Sequence, residues 1–452
     1  MENLSAELLQ QICGFLSQGD LFRFSLISKK CWAASRPRVF HTVCVSFSSP
    51  KTLEASVERW NDILTSSEGF LYVQHIQVLA NGLYPLVKRL EDCGDHPLEP
   101  WKYCAVSCQV TELLTEGQWH KQAKLLKQLP ALREITWGCS EQIPPSILRW
   151  MHQSLPQCHL HMRNFSLQSL FQPPQVPIQI DSHELDLATS PCLYSIAMQY
   201  DYMDSGHANY NIYAVMDMVA GVAPNLQEVS LLWEPCGSDP WLVAALRVPR
   251  QSWHRGLISS RPTDTAQGSL KNSNLVTRIT IDSLKSWSKR TDFSVLRSLK
   301  LQYHISSIEL RWLADHCRFD LLDTLVINPA LSIEPDTIEE LTDATESFLL
   351  ALLPLRKLKM TGLYQQRTVH LAINYSGEVL QQLHLSLVDD HSGSIPGPDS
   401  PGFASPAFLR TLQKKCSHLE DLSLCMLRSK GDTDEVAIYR GLGEISTLSK
   451  IH

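Results

Sequence analysis

Apolar residues at the start of the chain recur at helical spacing. Leu8, Leu9, Ile12 and Leu16 fall on one face, with Glu7, Gln10 and Gln11 beside it. Gly19 interrupts the segment, and the spacing predicts that Asp20 caps a second helix through its carboxylate. Leu21, Phe24 and Ile27 continue a new apolar face, and Ser28 is placed to cap a third short helix carrying Cys31 and Trp32. Helices this short cannot close a core of their own, so apolar surface is left for something else to cover. Beyond them the period changes. His41 to Phe47 is rich in β-branched and apolar residues and reads as a strand, ended by Ser48-Ser49-Pro50. Leu53, Val57, Trp60 and Leu64 return to helical spacing over Thr52 to Leu64.

From residue 71 onward one string, L-x-x-L-x-L, keeps returning. It occurs at Val73/Ile76/Val78, Leu132/Ile135/Trp137, Leu193/Ile196/Met198, Leu226/Val229/Leu231, Val276/Ile279/Ile281 and Leu296/Leu299/Leu301. It continues at Leu322/Leu325/Ile327, Leu355/Leu358/Met360, Leu380/Leu383/Leu385 and Leu419/Leu422/Leu424, with a weaker copy at Leu160/Met162. Leu448 to Ile451 has the form of half a further copy, so either another element covers that edge or the end is divergent or a fragment. Helical stretches precede the strings: Pro144 to Pro156, Tyr213 to Ala223, Ser307 to Cys317, Leu349 to Pro354 and Pro406 to His418. Pro156, Pro224 and Pro354 sit where a helix must stop. One such unit cannot bury its leucine face, but stacked units bury it against each other. The predicted fold is therefore α/β: a short helical unit, then an irregular solenoid with a parallel concave sheet and helices on the convex side. The alternative is a generic α/β domain with buried strands, which the repetition of the string disfavours. Stretches rich in Pro, Gly and Ser near 163–181, 234–274 and 389–406 read as insertions.

The period and string are similar to leucine-rich repeats, though looser. The units ending at Cys317 and Cys416 resemble the cysteine-containing type, which implies a buried helix-end cysteine. The N-terminal segment resembles an F-box. The usual form is Leu-Pro-x-Glu-Leu-Leu, an Ile three residues on, an Asp-Leu in helix two and a closing Ser-Lys-x-x-Trp. This chain matches at Leu4, Glu7, Leu8, Leu9, Ile12, Leu16, Asp20, Leu21, Ser28, Lys29 and Trp32. It departs at Ser5, where the family usually has Pro; the Leu-Pro hook is weakened, while Ser5 remains a competent N-cap. The resemblance implies a substrate receptor of an SCF-type cullin–RING ubiquitin ligase, with an F-box over 1–40, a linking strand and helix over 41–70, and the solenoid over 71–452. It implies a Skp-type adaptor bound through Leu4, Leu8, Leu9, Ile12, Leu16, Leu21 and Trp32, with the cullin beyond it, and a protein target of unknown identity on the solenoid. Such a receptor is not an enzyme and needs no cofactor. The alternative is a leucine-rich-repeat scaffold acting outside a ligase.

Composition narrows this. Hydrophobic residues make up 44% and charged residues 19%, the profile of a folded chain. A formal net charge of −7 argues against general affinity for nucleic acid or anionic membrane. The 13 cysteines include no C-x-x-C; Cys104 and Cys108 are the nearest pair, with no second pair to complete a zinc site. With no secretory h-region and no long apolar run, the expected compartment is cytoplasm or nucleus, with reduced thiols. No nucleophile-elbow, zincin, P-loop or dinucleotide-binding motif occurs. His159 and His161 share a strand face without further ligands in view and read as polar surface, and Asp201 with Asp204 lacks the rest of a calcium loop. Lys285 to Arg290 mixes basic and aromatic residues and reads as a solvated helix end.

In the string, leucines point inward and the x residues outward, because side chains alternate along a strand. Those x positions give Arg278, Arg297, Lys300, Arg356, Lys357 and Lys359, with Asp323 and His384 among them and Glu228, Glu420 and Asp421 flanking. The expectation is a basic strip that binds an acidic or phosphorylated segment of the target. The plainer reading is a solvated, soluble face.

Overall fold

The computed structural model describes residues 4–80, 116–139, 141–172, 180–200, 203–204, 207–209, 211–233, 268, 270–276, 280–331, 337–386, 403–426, 429 and 431–452. Arg278, Asp201, the Cys104/Cys108 pair and most of the insertions at 234–274 and 389–406 lie outside the described residues.

Three helices open the chain: α1 (Ala6–Phe15), α2 (Gln18–Ser25) and α3 (Lys29–Val39). Ser5 caps α1, its hydroxyl accepting the Leu8 N–H at 3.4 Å. Ser28 caps α3 by accepting the Cys31 N–H at 3.2 Å. The start of α2 differs from the sequence expectation. Ser17, not Asp20, is the cap: its hydroxyl accepts the Asp20 N–H at 3.2 Å and donates to the Asp20 carboxylate at 2.6 Å. A serine three residues ahead of a carboxylate satisfies the helix start sooner than Asp20 could alone, so Gly19 lies inside the helix. Leu9, Cys13, Leu21, Phe24, Cys31 and Ala34 form a small core between the three helices.

Phe40 then leads into a sheet of 13 strands, every neighbouring pair parallel and all in chain order. They are β1 (Thr42–Phe47), β2 (His75–Ala80), β3 (Glu134–Gly138), β4 (His159–Met162), β5 (Leu193–Tyr200), β6 (Glu228–Trp233) and β7 (Asn272–Val276). They continue as β8 (Ser298–Ile305), β9 (Thr324–Pro329), β10 (Lys357–Thr361), β11 (Gln382–Ser386), β12 (Asp421–Ser423) and β13 (Lys450–Ile451). Helices fill the crossovers: α4 (Pro50–Ser66), α5 (His120–Leu126), α6 (Pro145–Ser154), α7 (Ser182–Ala188), α8 (Asn211–Asp217), α9 (Ile281–Ser288) and α10 (Ser307–His316). The last are α11 (Ile338–Ala351), α12 (Gln366–Ser376), α13 (Pro406–Lys415) and α14 (Thr433–Glu444). A separate antiparallel sheet joins Phe171–Gln172, His207–Asn209 and Met203–Asp204.

The string residues face the helices. Leu299, Leu325, Leu358, Leu383 and Leu422 stack rung on rung in one core that runs from Phe40 to Ile445. Each fully buried leucine contributes about 1.5 to 3 kcal/mol, which is why stacking and not any single unit holds the array. Three details differ from the sequence pattern. The strand over 42–47 is not a linker but the first rung, with Val43 opposite Ile76. The copy at Leu160/Met162 is a full rung, β4. The string at Val276/Ile279/Ile281 is out of register: Leu275 stands opposite Leu231 and Leu301, so the unit is Leu270/Ser273/Leu275, and Ile281 begins α9. Ser273, buried at a position its neighbours fill with Val229 and Leu299, hides the true frame. Of the half copy at Leu448 to Ile451, Lys450 and Ile451 pair with β12 as the exposed two-residue strand β13, with Ile451 opposite Leu422.

Candidate functional site

Two surfaces carry the residues singled out by the sequence. The first is the N-terminal helical unit. Leu9 is 1% exposed and Leu21 is equally interior, so both hold the helices together. Leu4, Ile12 and Leu16 are half-buried against that core. Leu8, at 48%, faces outward. So do Phe15 at 91% and Leu26 at 85%, with Phe22 and Ile27 also exposed. Phe15, Phe22 and Leu26 were not among the expected contacts, because they fall off the inward face. That displacement is the signal: a large apolar residue on the polar side of a short helix has no partner within its own unit. Trp32 faces the other way. Its ring meets Phe40 at the head of the sheet, and it packs on the solenoid core.

The second surface is the face of the sheet opposite the helices. Parallel register lines its side chains into rows. Ser298, Thr324 and Lys357 stand side by side, and Lys300, Val326, Lys359 and His384 form the next row. Above them lies a groove of about 500 Å³. Lys300, Lys357 and Lys359 line it as the string predicts, joined by Arg163 and Lys450, which no local pattern marks. Glu228 and Asp421 are the acids among the described lining residues. Arg297 and Arg356 are exposed one residue ahead of their strands and do not line the groove. The expected strip is thus divided: lysines in the groove, arginines outside it.

Hydrogen bonds fix this face. His384 Nε2 lies 3.0 Å from Asp421 Oδ1, both buried, and His452 Nε2 is 3.6 Å from the same oxygen. The Asn272 amide donates to Glu228 at 2.7 Å, and the Gln302 amide to Asn274 at 2.8 Å. Toward the N-terminal end, His75 Nε2 lies 2.9 Å from the Thr136 hydroxyl and His161 Nδ1 2.8 Å from that of Ser195. His159 stacks on Tyr194 with ring centroids 4.2 Å apart. Burial, then the charges of Arg163, His75 and His159, depress the His161 imidazole to about 4. Among the described residues no group of three or more His, Cys, Asp or Glu is placed to hold a metal ion. Burial pushes the Cys317 thiol up to about 12 and that of Cys416 to about 11. Both sit at helix ends against the core, which suits packing and not nucleophilic attack. No described helix is long and apolar enough to cross a membrane.

No protein-family model matches the chain, and no curated protein is detectably similar to it in sequence.

Proposed function

We propose that the chain is the substrate receptor of an SCF-type cullin–RING ubiquitin ligase, working in the cytoplasm or nucleus. The observation that carries this reading is the helical unit. It is closed inside by Leu9, Leu21 and Phe24, yet leaves Leu8, Phe15, Phe22, Leu26 and Ile27 open to solvent. Apolar anchors of this kind dominate protein interfaces, and a Skp-type adaptor is the partner that the F-box resemblance implies. The solenoid would hold the protein target. In this reading the chain supplies no reacting group. It raises the effective concentration of target lysines near a ubiquitin-loaded enzyme that the adaptor and cullin bring.

Affinity capture of the full chain, probed for a Skp-type adaptor and a cullin, tests the proposal. Wild type should retain both. Leu8→Ala with Leu26→Ala should lose both while the thermal unfolding midpoint stays put, since neither side chain is interior. A wild-type chain that retains no adaptor would overturn the reading. Ser5 gives that outcome a specific meaning: it replaces the proline of the usual hook, and failure of capture would favour a repeat scaffold acting outside a ligase.

A further inference from the structure

The lysines of the groove are spread along it and not gathered at one point. Lys300 stands on β8 and Lys359 two strands on in the same row, with the short Val326 between them. Lys357 shares the Lys359 face of β10. Lys450 stands on β13, three strands further along. Neighbouring strands lie about 4.8 Å apart, so Lys300 and the β10 pair are about 10 Å apart, and β13 is about 14 Å beyond. The floor between the charges is uncharged, with Ser298, Thr324, Val326 and Gln382. Glu228 lies toward one end, and Asp421 lies beyond the lysine pair, engaged with His384.

We propose that this groove holds an extended, carboxylate-rich peptide segment laid across the strands, with two acidic side chains about three residues apart. In the polyproline II form of an extended chain, with three residues per turn and a rise of about 3.1 Å per residue, side chains three residues apart share a face and stand about 9 Å apart, which matches the roughly 10 Å from Lys300 to Lys357 and Lys359. The inference rests on the reading of the solenoid as the target-holding half. The charge type selects the ligand. A lone phosphate is best gripped by converging guanidinium forks, and Arg163 is the one arginine among the described lining residues. Separated ammonium groups are point charges, each able to pair with its own carboxylate. Glu228 and Asp421 interrupt the positive stretch, which a continuous polyanion such as nucleic acid would meet as repulsion.

The test is fluorescence anisotropy of the full chain with a labelled peptide of serine and alanine carrying two glutamates three residues apart. The same peptide with glutamines in their place, with the two glutamates adjacent, and with one phosphoserine and no glutamate are the comparisons. The spaced-glutamate peptide should bind best, and its binding should weaken as salt rises. Lys300→Gln with Lys357→Gln should weaken it by about tenfold or more at an unchanged unfolding midpoint. Lys359 is only 9% exposed, so Lys359→Gln is informative only if that midpoint also holds. Lys414→Gln, on the exposed side of α13, should change nothing. Equal binding of the glutamine peptide, indifference to the double substitution, or preference for the phosphoserine peptide would each overturn the proposal. Equal binding of the adjacent-glutamate peptide would overturn the spacing. Adaptor capture is read separately: adaptor retained with no peptide bound removes the groove proposal alone, and peptide bound with no adaptor removes the ligase reading alone.

Discussion

The Trp32 ring meets Phe40 edge-on, with centroids 5.9 Å apart and planes at 87°. Trp32 lies within the third helix, and Phe40 caps the end of that helix with its ring in the core beneath the sheet. Arg36 reinforces the joint, donating to the Ser67 carbonyl at 3.0 Å and lying over the Tyr72 ring at 5.6 Å. Val39 touches both cores. The helical unit is therefore splined to the array by continuous packing, which is what a bridge between two partners needs if it is to fix their separation. Trp32→Ala should cost about 2 kcal/mol, less than the 3 to 5 of a fully interior tryptophan because the ring is only partly buried. It should also open the chain near Phe40 to protease. Denaturant midpoints and limited proteolysis check this; an unchanged cleavage pattern would mean the joint does not depend on the ring.

Leu8 and Leu9 are adjacent in sequence and opposite in consequence. Leu9→Ala empties the middle of the small core and should destabilise it by about 2 to 5 kcal/mol. Leu8→Ala removes an exposed side chain and should move stability by about 0.5 kcal/mol or less. Denaturant midpoints should separate the two, with adaptor capture reduced in both but for different reasons. Equal loss of stability would place Leu8 inside the unit.

Ser5 has φ −67° and ψ 159°, a backbone that proline adopts without strain. Ser5→Pro loses a long capping hydrogen bond, worth at most about 1 kcal/mol, and fixes the entry to α1. Adaptor affinity should rise and stability should change little. A weaker complex, measured by titration, would show that the hydroxyl itself is needed.

The architecture is written plainly in the chain because every rung repeats one apolar frame, and a repeat betrays itself even where single copies drift. The misses have physical causes. Phe40/Val43/Val45 obeys the frame, but it follows directly on α3 and carries no leucine. Ser273 puts a hydroxyl at an inward position and shifts the apparent frame by six residues. In the small core of the first three helices, spacing found Leu9, Leu21 and Phe24, but it also put Leu8 and Ile27 on the apolar faces, and both are exposed. The outer face was not legible, since Phe15 and Leu26 look like breaks in a pattern until the helices are folded together. The groove was half legible: alternation finds Lys300, Lys357 and Lys359, but Arg163 and Lys450 join only through the register of distant strands.

Gly362 follows β10 with φ +91°, a conformation that side chains resist. A Cβ there would also strike Asn328 Oδ1 and the Pro329 carbonyl, the same oxygen that accepts the Leu363 N–H at 2.8 Å. Gly362→Ala should therefore lose about 1 to 3 kcal/mol, from backbone strain and from the displaced end of β9. The loss should appear in the denaturant midpoint while adaptor capture persists. An unshifted midpoint would mean that the turn relaxes freely.

His161 gives the fold a pH dependence whose sign follows from its surroundings. Its Nδ1 is hydrogen-bonded to the Ser195 hydroxyl, its Nε2 is buried without a partner, and Arg163, His75 and His159 stand near it. Burial most, then the charges of Arg163, His75 and His159, disfavour the cation, so the folded pKa is about 4 against an ordinary 6.5. Between those values the unfolded chain binds a proton that the folded chain refuses. Stability must then fall as pH drops from about 6.5 toward 4, by no more than about 1.4 kcal/mol per pH unit for one such group, and be flat with respect to it above that window. His75 and His152, both lowered chiefly by burial, act in the same direction. The capping carboxylates Glu340 and Glu435 also have lowered pKa values, but their contribution is lost only as pH falls below the ordinary 4.5. The window from 4.5 to 6.5 therefore isolates the histidines. Denaturant titrations across it should show a falling midpoint for wild type and a shallower fall for His161→Gln, which keeps a polar partner for Ser195 but cannot take the proton. Parallel curves for the two proteins would mean that His161 is solvated well enough to be protonated in the folded chain.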